Sequence, residues 1–358
     1  MIDKGIQIKN IFYMLAYAFR SLKKVYFNRV DLENFCEVDD LLAEILHIGI
    51  SYQLKQGLKR DYVIENEDLL TIKGKINLNN TINNLIKNKR AINCDFDNFD
   101  ENIEVNQILK STIKKLLSCE TVSKERKIKL KRLLPYFESV VEINLKNVVW
   151  EKINFDSNNQ NYVLLMNICK IVTNSLIMTE NNGNNKHTIF TDDQLNLVFQ
   201  NFVLNYYKEY AKKKSLCDIT IKSKNIDRAI NKDEFYEGIE YLPKLQTDIT
   251  IENRSKTLII DTKFYQKTLG EHFDKLKYHR DNINQIHEYV NQYGFTNKNK
   301  EVCGMLLYAK TNETTHPNMT DVEMGHKFYI RTMDLNVSPF EALSSQLDRL
   351  FEEVFATK

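Results

Sequence analysis

The chain has 358 residues, with 50 Lys+Arg against 48 Asp+Glu, 42% hydrophobic residues, 10 Gly and 4 Pro. That length can bury one large core or two of ordinary size, and 27% charged with 11% aromatic residues excludes a largely disordered chain, a collagen and a mucin-like stalk. A formal net charge of +2 excludes DNA binding by bulk electrostatics alone, so any nucleic-acid contact has to come from a local site.

In chain order, a first helix is predicted to start at Asn10, a capping residue type, and to carry Ile11, Met14, Leu15, Ala18 and Phe19 as a core face. The same stretch imitates the apolar centre of a signal peptide. However, Arg20, Lys23 and Lys24 follow without a small-residue cleavage pattern, and the run is too short to span a bilayer. Six cysteines (Cys36, Cys94, Cys119, Cys169, Cys217, Cys303) stand singly, without a C-x-x-C pair or a histidine at zinc-finger spacing. This predicts a reduced, cytoplasmic chain with unpaired thiols and no membrane partner. A second helix is predicted over Leu41 to Leu54. Short strands follow at Tyr62 to Ile64 and Leu69 to Ile72, with a turn at Glu65 to Glu67 between them and a bend or bulge at Gly74. Helical spacing resumes at Leu78, and Val105 to Leu117 reads as an amphipathic helix.

From Lys110 to Arg132 basic side chains thicken, with Glu120 and Glu125 as the only acids. The simplest reading is a solvated helical hairpin face, and the other is a surface that contacts phosphate or a partner. Asparagine-rich stretches at Asn154 to Asn161 and Asn181 to Asn185 bracket a predicted helix, Tyr162 to Met178. The expected division is therefore an α+β N-terminal domain over residues 1–158 and a second domain over residues 159–358.

The chemistry concentrates between Tyr241 and Gln285. Leu245 to Ile251 and Thr257 to Tyr265 read as two strands joined by the polar turn Glu252 to Lys256. A hairpin symmetric about the Arg254–Ser255 bond sets Asp248 opposite Asp261, and pleat alternation puts Lys263 on the face of Asp261. Facing carboxylates persist only with a cation or a raised pKa, and a divalent metal resolves the repulsion. Hard carboxylate oxygens suit Mg²⁺ or Mn²⁺, bound by Asp248 and Asp261 with the Thr262 backbone carbonyl. Lys263 would then lie beside the attacking water, to position it or help deprotonate it and to stabilise negative charge. If instead the two aspartates were unrelated surface positions, Asp261 would still follow Leu258-Ile259-Ile260, a buried-strand pattern in which an unpaired charge is costly.

Pro243, Asp248 and Asp261-Thr262-Lys263 resemble the PD-(D/E)xK nuclease motif, with the proline displaced upstream of the first aspartate. Tyr278 to Tyr289 resembles the Q-x-x-x-Y helix of McrC proteins, the nuclease subunits of McrBC-type restriction systems. Asn10 to Ala18, Gly57 to Tyr62, Gly74 to Ile76 and Asn106 to Lys110 are similar to that family's recurrent segments, in the same order. The resemblance covers nearly the whole chain. It implies that residues 159–358 form an α/β restriction-endonuclease-like domain with a mixed central sheet flanked by helices. It also implies a metal-dependent DNA endonuclease that acts on double-stranded modified DNA in defence against foreign DNA. The implied partner is a McrB-like AAA+ GTPase hexamer, which the first domain would dock on and stimulate. The chain has no G-x-x-x-x-G-K-[ST] loop, so nucleotide hydrolysis is expected of the partner.

Gln285 and Tyr289 lie at i and i+4 on one helix face, while Ile283, Ile286 and Val290 form an apolar face to pack on the sheet. The resemblance gives Gln285 and Tyr289 a role at the phosphate or in support of the metal ligands. It places a further metal-binding glutamate after Phe199, where this chain has Gln200. A neutral amide points to a one-metal mechanism, unless Glu237 or Glu240 supplies the acid. The alternatives are a scaffold of the same fold that activates the GTPase without cutting, and a stand-alone repair nuclease.

Overall fold

Leu258, Ile259 and Ile260 offer no polar side chain to solvent, and in the computed structural model of the chain their strand lies inside a six-stranded sheet. The structure describes residues 2–3, 6–18, 35, 37–153, 160–181, 192–228, 241–265, 269–272, 275–310 and 316–356. Phe19, Cys36, Glu237, Glu240 and most of both asparagine-rich stretches lie outside the described residues. The chain divides into two compact units, residues 1–38 with 189–358, and residues 39–188. The first 38 residues thus fold with the C-terminal unit, which differs from the boundary at 158 that the asparagine-rich break suggests.

The chain begins with the short pair β1 (Ile2–Asp3) and β2 (Ile6–Gln7), followed by α1 (Ile8–Ala18). The helix starts before Asn10, and the expected cap is wrong for a reason remote in sequence. Asn10 Nδ2 donates to the carbonyls of Leu335 (2.6 Å) and Val337 (2.9 Å), so its side chain is buried against a distant segment.

The unit of residues 39–188 contains most of α2 (Val38–Leu54), then β3 (Asp61–Leu69), β4 (Lys75–Ile76), α3 (Leu78–Ile86), β5 (Ile92–Asp100), α4 (Glu104–Ser118), α5 (Lys124–Lys131) and α6 (Gln160–Asn181). The expected turn at Glu65 to Glu67 is the middle of a strand. Glu65, Asn66 and Glu67 pair with Phe96, Asp95 and Cys94 of β5, an antiparallel partner that can leave polar side chains in water. Gly74 does turn the chain: its φ is +70°, and a Cβ there would lie 2.4 Å from the Asp95 carbonyl oxygen. The basic stretch is not simply solvated. Arg126 pairs with Asp40 (2.6 Å) and Glu44 (3.2 Å), and Lys129 with Glu125 (2.9 Å) and Glu44 (3.3 Å). Lys110 Nζ donates to the carbonyls of Phe137 (2.9 Å) and Val140 (2.5 Å).

The other unit continues with α7 (Asp192–Lys213), β6 (Thr220–Lys222), β7 (Asn225–Ile226), β8 (Leu245–Gln246), β9 (Ile249–Glu252) and β10 (Lys256–Lys263). Then come β11 (Gly270–His272), β12 (Lys275–Lys277), α8 (Arg280–Thr296), β13 (Glu301–Lys310), β14 (Met319–Glu323), β15 (His326–Asp334) and α9 (Phe340–Phe355). The sheet runs β14-β15-β13-β10-β9-β6. The inner strands β10, β13 and β15 are parallel, and β14, β9 and β6 are antiparallel to their neighbours, so the sheet is mixed as expected. One face carries Ile259, Val302, Leu306, Tyr308, Phe328 and Ile330, on which Ile286, Tyr289, Val290 and Tyr293 of α8 pack. Gly304 lies on that face and permits the close approach. A Cβ there would meet Val290 Cγ2 at 2.8 Å and Ile286 Cγ1 at 2.9 Å. Among the described residues no helix is long and apolar enough to cross a membrane, and Cys94, Cys119, Cys169, Cys217 and Cys303 are free thiols.

Candidate active site

The β9–β10 ladder has the predicted register, from Thr257 opposite Glu252 to Ile260 opposite Ile249. Pairing ends there. Asp248 lies one residue past the last pair, and its Oδ2 accepts from both the Thr262 amide (2.8 Å) and the Thr262 hydroxyl (2.9 Å). The carboxylate therefore satisfies an amide that the ladder leaves behind. Thr262 meets Asp248 through its N–H and hydroxyl, contacts that reading it as a carbonyl ligand did not foresee.

Asp261 is 1% exposed, and its Oδ2 lies 3.0 Å from Lys263 Nζ. The two form an ion pair, and no other polar group among the described residues bonds Oδ2. Burial and then the Asp248 charge push the Asp261 carboxyl up from 3.8 to about 7, with Lys263 opposing. Burial also raises Asp248, against the two Thr262 bonds and Lys263. Burial alone would lower Lys263, but Asp261, together with Tyr265 and Asp248, raises it, so the side chain stays an ammonium at neutral pH.

Helix α8 completes the site. Lys263 Nζ donates to Gln285 Oε1 (2.9 Å), and Gln285 Nε2 donates to the Tyr289 hydroxyl (2.9 Å). The Tyr289 ring is buried among the apolar side chains while its oxygen anchors the amide. Five of the singled-out residues, Asp261, Thr262, Lys263, Gln285 and Tyr289, thus come together with Asp248. The sequence reading missed Asn282. It is 5% exposed, donates to the Tyr308 hydroxyl (3.0 Å) and accepts from the Tyr265 hydroxyl (3.2 Å). Tyr308 is the β13 partner of Lys263, so this polar cluster abuts the site. The available signal was an asparagine one turn before Gln285.

Gln200 is not part of this bonded set and makes no hydrogen bond among the described residues. One turn earlier on α7, Asn196 Oδ1 accepts from the Phe264 amide (3.0 Å), tying the helix to the end of β10. Pro243 is exposed, and its carbonyl accepts from Arg228 Nη2 (3.1 Å) rather than meeting either aspartate.

Among the described residues no three His, Cys, Asp or Glu side chains gather into a metal-binding group. Asp248 and Asp261 nonetheless supply hard oxygen donors at one place, with Asp261 buried and met among the described residues by Lys263 alone. That donor set fits Mg²⁺ or Mn²⁺ with water completing the shell, and it does not fit zinc.

Comparison with known proteins bears on what such a site serves. Residues 3–309 match the family described as McrBC 5-methylcytosine restriction system component. The chain is 24% identical over 339 residues to the type IV methyl-directed restriction enzyme EcoKMcrBC of Escherichia coli K12, covering 93% of this chain and 91% of the relative. Among solved structures, the chain is similar to an assembly of Thermococcus gammatolerans McrB AAA+ hexamers with bound McrC. The TM-score is 0.49 at 13% identity, over 97% of this chain and 75% of that one. A second Thermococcus gammatolerans McrBC complex matches with a TM-score of 0.40 at 15% identity, over 57% and 59% of the two chains.

Proposed function

Since the chain belongs to the family of McrBC 5-methylcytosine restriction system components, we propose that it is the DNA-cutting subunit of such a system, hydrolysing phosphodiester bonds with a divalent metal. The observation that carries this reading is the convergence of Asp248, Asp261 and Lys263, with Asp261 buried and ion-paired to Lys263. Asp248 and Asp261, with the Thr262 carbonyl, would hold Mg²⁺ or Mn²⁺. The cation's contribution when bound is Lewis-acid stabilisation of the charge that builds on the phosphate.

The protein side chains account for the rest. Lys263 is held between Asp261 and Gln285 at 3.0 and 2.9 Å, so its remaining proton can point to the attacking water or to a phosphate oxygen. An ammonium cannot accept a proton. Its part is to orient the nucleophile and to offset negative charge in the transition state, not to act as the base. Gln285 and Tyr289 fix the lysine, and Thr262 fixes Asp248, so the reacting geometry rests on hydrogen bonds from two rigid elements.

Family membership also supports a McrB-like AAA+ GTPase hexamer as the partner, delivery of double-stranded modified DNA by that partner, and stimulation of its GTP hydrolysis by this chain. The near-balanced net charge of +2 agrees with a subunit that acts on delivered DNA. One observation favours a second reading, a scaffold that activates the partner without cutting: Gln200 replaces the expected acid, and no third carboxylate joins the two aspartates among the described residues. The two readings separate on Lys263→Ala in a reconstituted complex. Cutting by the subunit predicts cleavage reduced about a hundredfold or more with GTPase stimulation intact, and undiminished cleavage would overturn the assignment.

A further inference from the structure

Ile286, Tyr289 and Tyr293 recur along α8 at the spacing of one buried stripe, and Asn282, which opens the stripe, is an amide where an apolar side chain would pack without cost. Asn282 is 5% exposed. Its Nδ2 donates to the hydroxyl of Tyr308 in β13 at 3.0 Å, and its Oδ1 accepts from the hydroxyl of Tyr265 at 3.2 Å. Both tyrosines adjoin Lys263: Tyr308 is its ladder partner, and Tyr265 follows it by two residues. The Tyr265 ring also lies 5.1 Å from that of His279, the residue before α8. His279 makes no side-chain cap bond, so among the described residues the side-chain hydrogen bonds that tie the first turn of α8 to β13 and to the segment after β10 are those of Asn282.

We propose, resting on the nuclease reading, that Asn282 is a positioning residue for cleavage, holding α8 at the rotation and depth from which Gln285 meets Lys263. Apolar packing has no direction, so a helix seated by Ile286 and Val290 alone can turn or slide at little cost. A hydrogen bond weakens steeply off its line, and the Lys263 Nζ to Gln285 Oε1 bond at 2.9 Å needs the helix in one place. Asn282 and Gln285 are neighbours one turn apart, so a rotation of the first turn carries Gln285 with it. Two bonds from one amide to two separate segments oppose both turning and sliding, and a fully satisfied buried network of this kind selects a single arrangement. The pair of Asn282 and Tyr308 adds little to stability, since an apolar pair of the same shape would fill the space as well. What it adds is direction. Asn282 bonds none of the residues assigned to the metal or the phosphate, so its effect passes through the placement of Gln285 and Lys263.

The test compares the natural chain with Asn282→Leu, with Asn282→Leu combined with Tyr308→Phe, and with Asn282→Ala. Each full chain is melted alone and then reconstituted with the McrB-like GTPase, GTP and magnesium, where cleavage of a methylated duplex and GTP hydrolysis are followed together. Asn282→Leu keeps the branched shape and loses both bonds. It should melt lower and lose about tenfold or more in kcat for cleavage at unchanged KM for DNA, with GTPase stimulation kept. Adding Tyr308→Phe removes the buried hydroxyl left unmet, while the half-buried Tyr265 hydroxyl can turn to water, so the melting temperature should return and cleavage stay low. Cleavage that recovers along with the melting temperature, or that is undiminished in Asn282→Leu, overturns the proposal and leaves Asn282 as a core residue only. Asn282→Ala adds no bulk, so it decides the same question if the leucine cannot be housed: the same loss is expected, and undiminished cleavage overturns the proposal. DNA left uncut by the natural chain as well overturns the nuclease reading and the proposal with it, an outcome distinct from cutting by the natural chain and the variants alike.

Discussion

Replacing Asp261 with asparagine should stabilise the metal-free protein while it removes cleavage. The folded protein binds the Asp261 proton more tightly than the unfolded chain does, its carboxyl rising from 3.8 to about 7. Its stabilising contribution is therefore complete below 3.8, shrinks as pH rises and is gone above about 7, where the buried charge is carried at full cost. Each tenfold change in proton affinity is worth about 1.4 kcal/mol, so the cost at pH ~8 is on the order of 4 kcal/mol. The neutral amide escapes that cost but leaves Lys263 without its carboxylate, holding only Gln285, and this returns part of the gain. A net gain of about 2 kcal/mol corresponds to a rise of roughly 4–8 °C in melting temperature for a unit of this size. Scanning calorimetry in chelator at pH ~8 and pH ~5 reads it: Asp261→Asn should melt higher at the first pH and lose most of that advantage at the second. Magnesium should raise the melting temperature of the natural protein and leave the variant unmoved. An Asp261→Asn protein that melts lower at the higher pH, or whose gain is the same at both, would refute the electrostatic reasoning.

Three further outcomes are expected. Glu252 is bound by Lys224, by Lys300 (with Tyr293 donating at 2.9 Å), and its carboxyl is held down at about 2 against the opposing effect of burial. Its stabilisation is complete above the ordinary glutamate pKa of 4.5 and fades as pH falls through about 2, so Glu252→Gln should flatten the acid limb of a pH–stability curve. Gly304→Ala puts a methyl 2.8 Å from Val290 and should cost about 1–3 kcal/mol in urea melts; by lifting α8 it should also impair cleavage. Gln285→Ala removes one of the two anchors of Lys263 and should lower the cleavage rate about ten- to a hundredfold while stimulation of the partner GTPase persists, whereas Tyr289→Phe should cost less because Gln285 remains.

Asp248, Asp261 and Lys263 were legible because a hairpin turns local spacing into register: the polar turn set the symmetry, and period-two alternation set the face. Gln285 and Tyr289 were legible as a pair by helical spacing, but their attachment to Lys263 was not, because it depends on how closely α8 lies on the sheet, which Gly304 decides from β13. Features set by remote partners stayed hidden. Asn10 looks like a cap until Leu335 and Val337 supply its acceptors, and Glu65 to Glu67 look like a turn until β5 lies alongside. Arg126 and Lys129 read as a solvated charge run because Asp40 and Glu44, which hold them, precede them by more than eighty residues. The compact units likewise join residues 1–38 to residues 189–358, a grouping between segments far apart in sequence that local composition does not signal.

The most direct measurement is cleavage of a 5-methylcytosine-containing duplex by the chain reconstituted with its McrB-like partner, GTP and magnesium, comparing the natural protein with Asp261→Ala and following GTP hydrolysis in the same tubes. Loss of cutting with GTP hydrolysis still stimulated is the expected result. Equal cutting by both proteins would contradict the assignment of the site, and no cutting by either while GTP turns over would mark the chain as a scaffold.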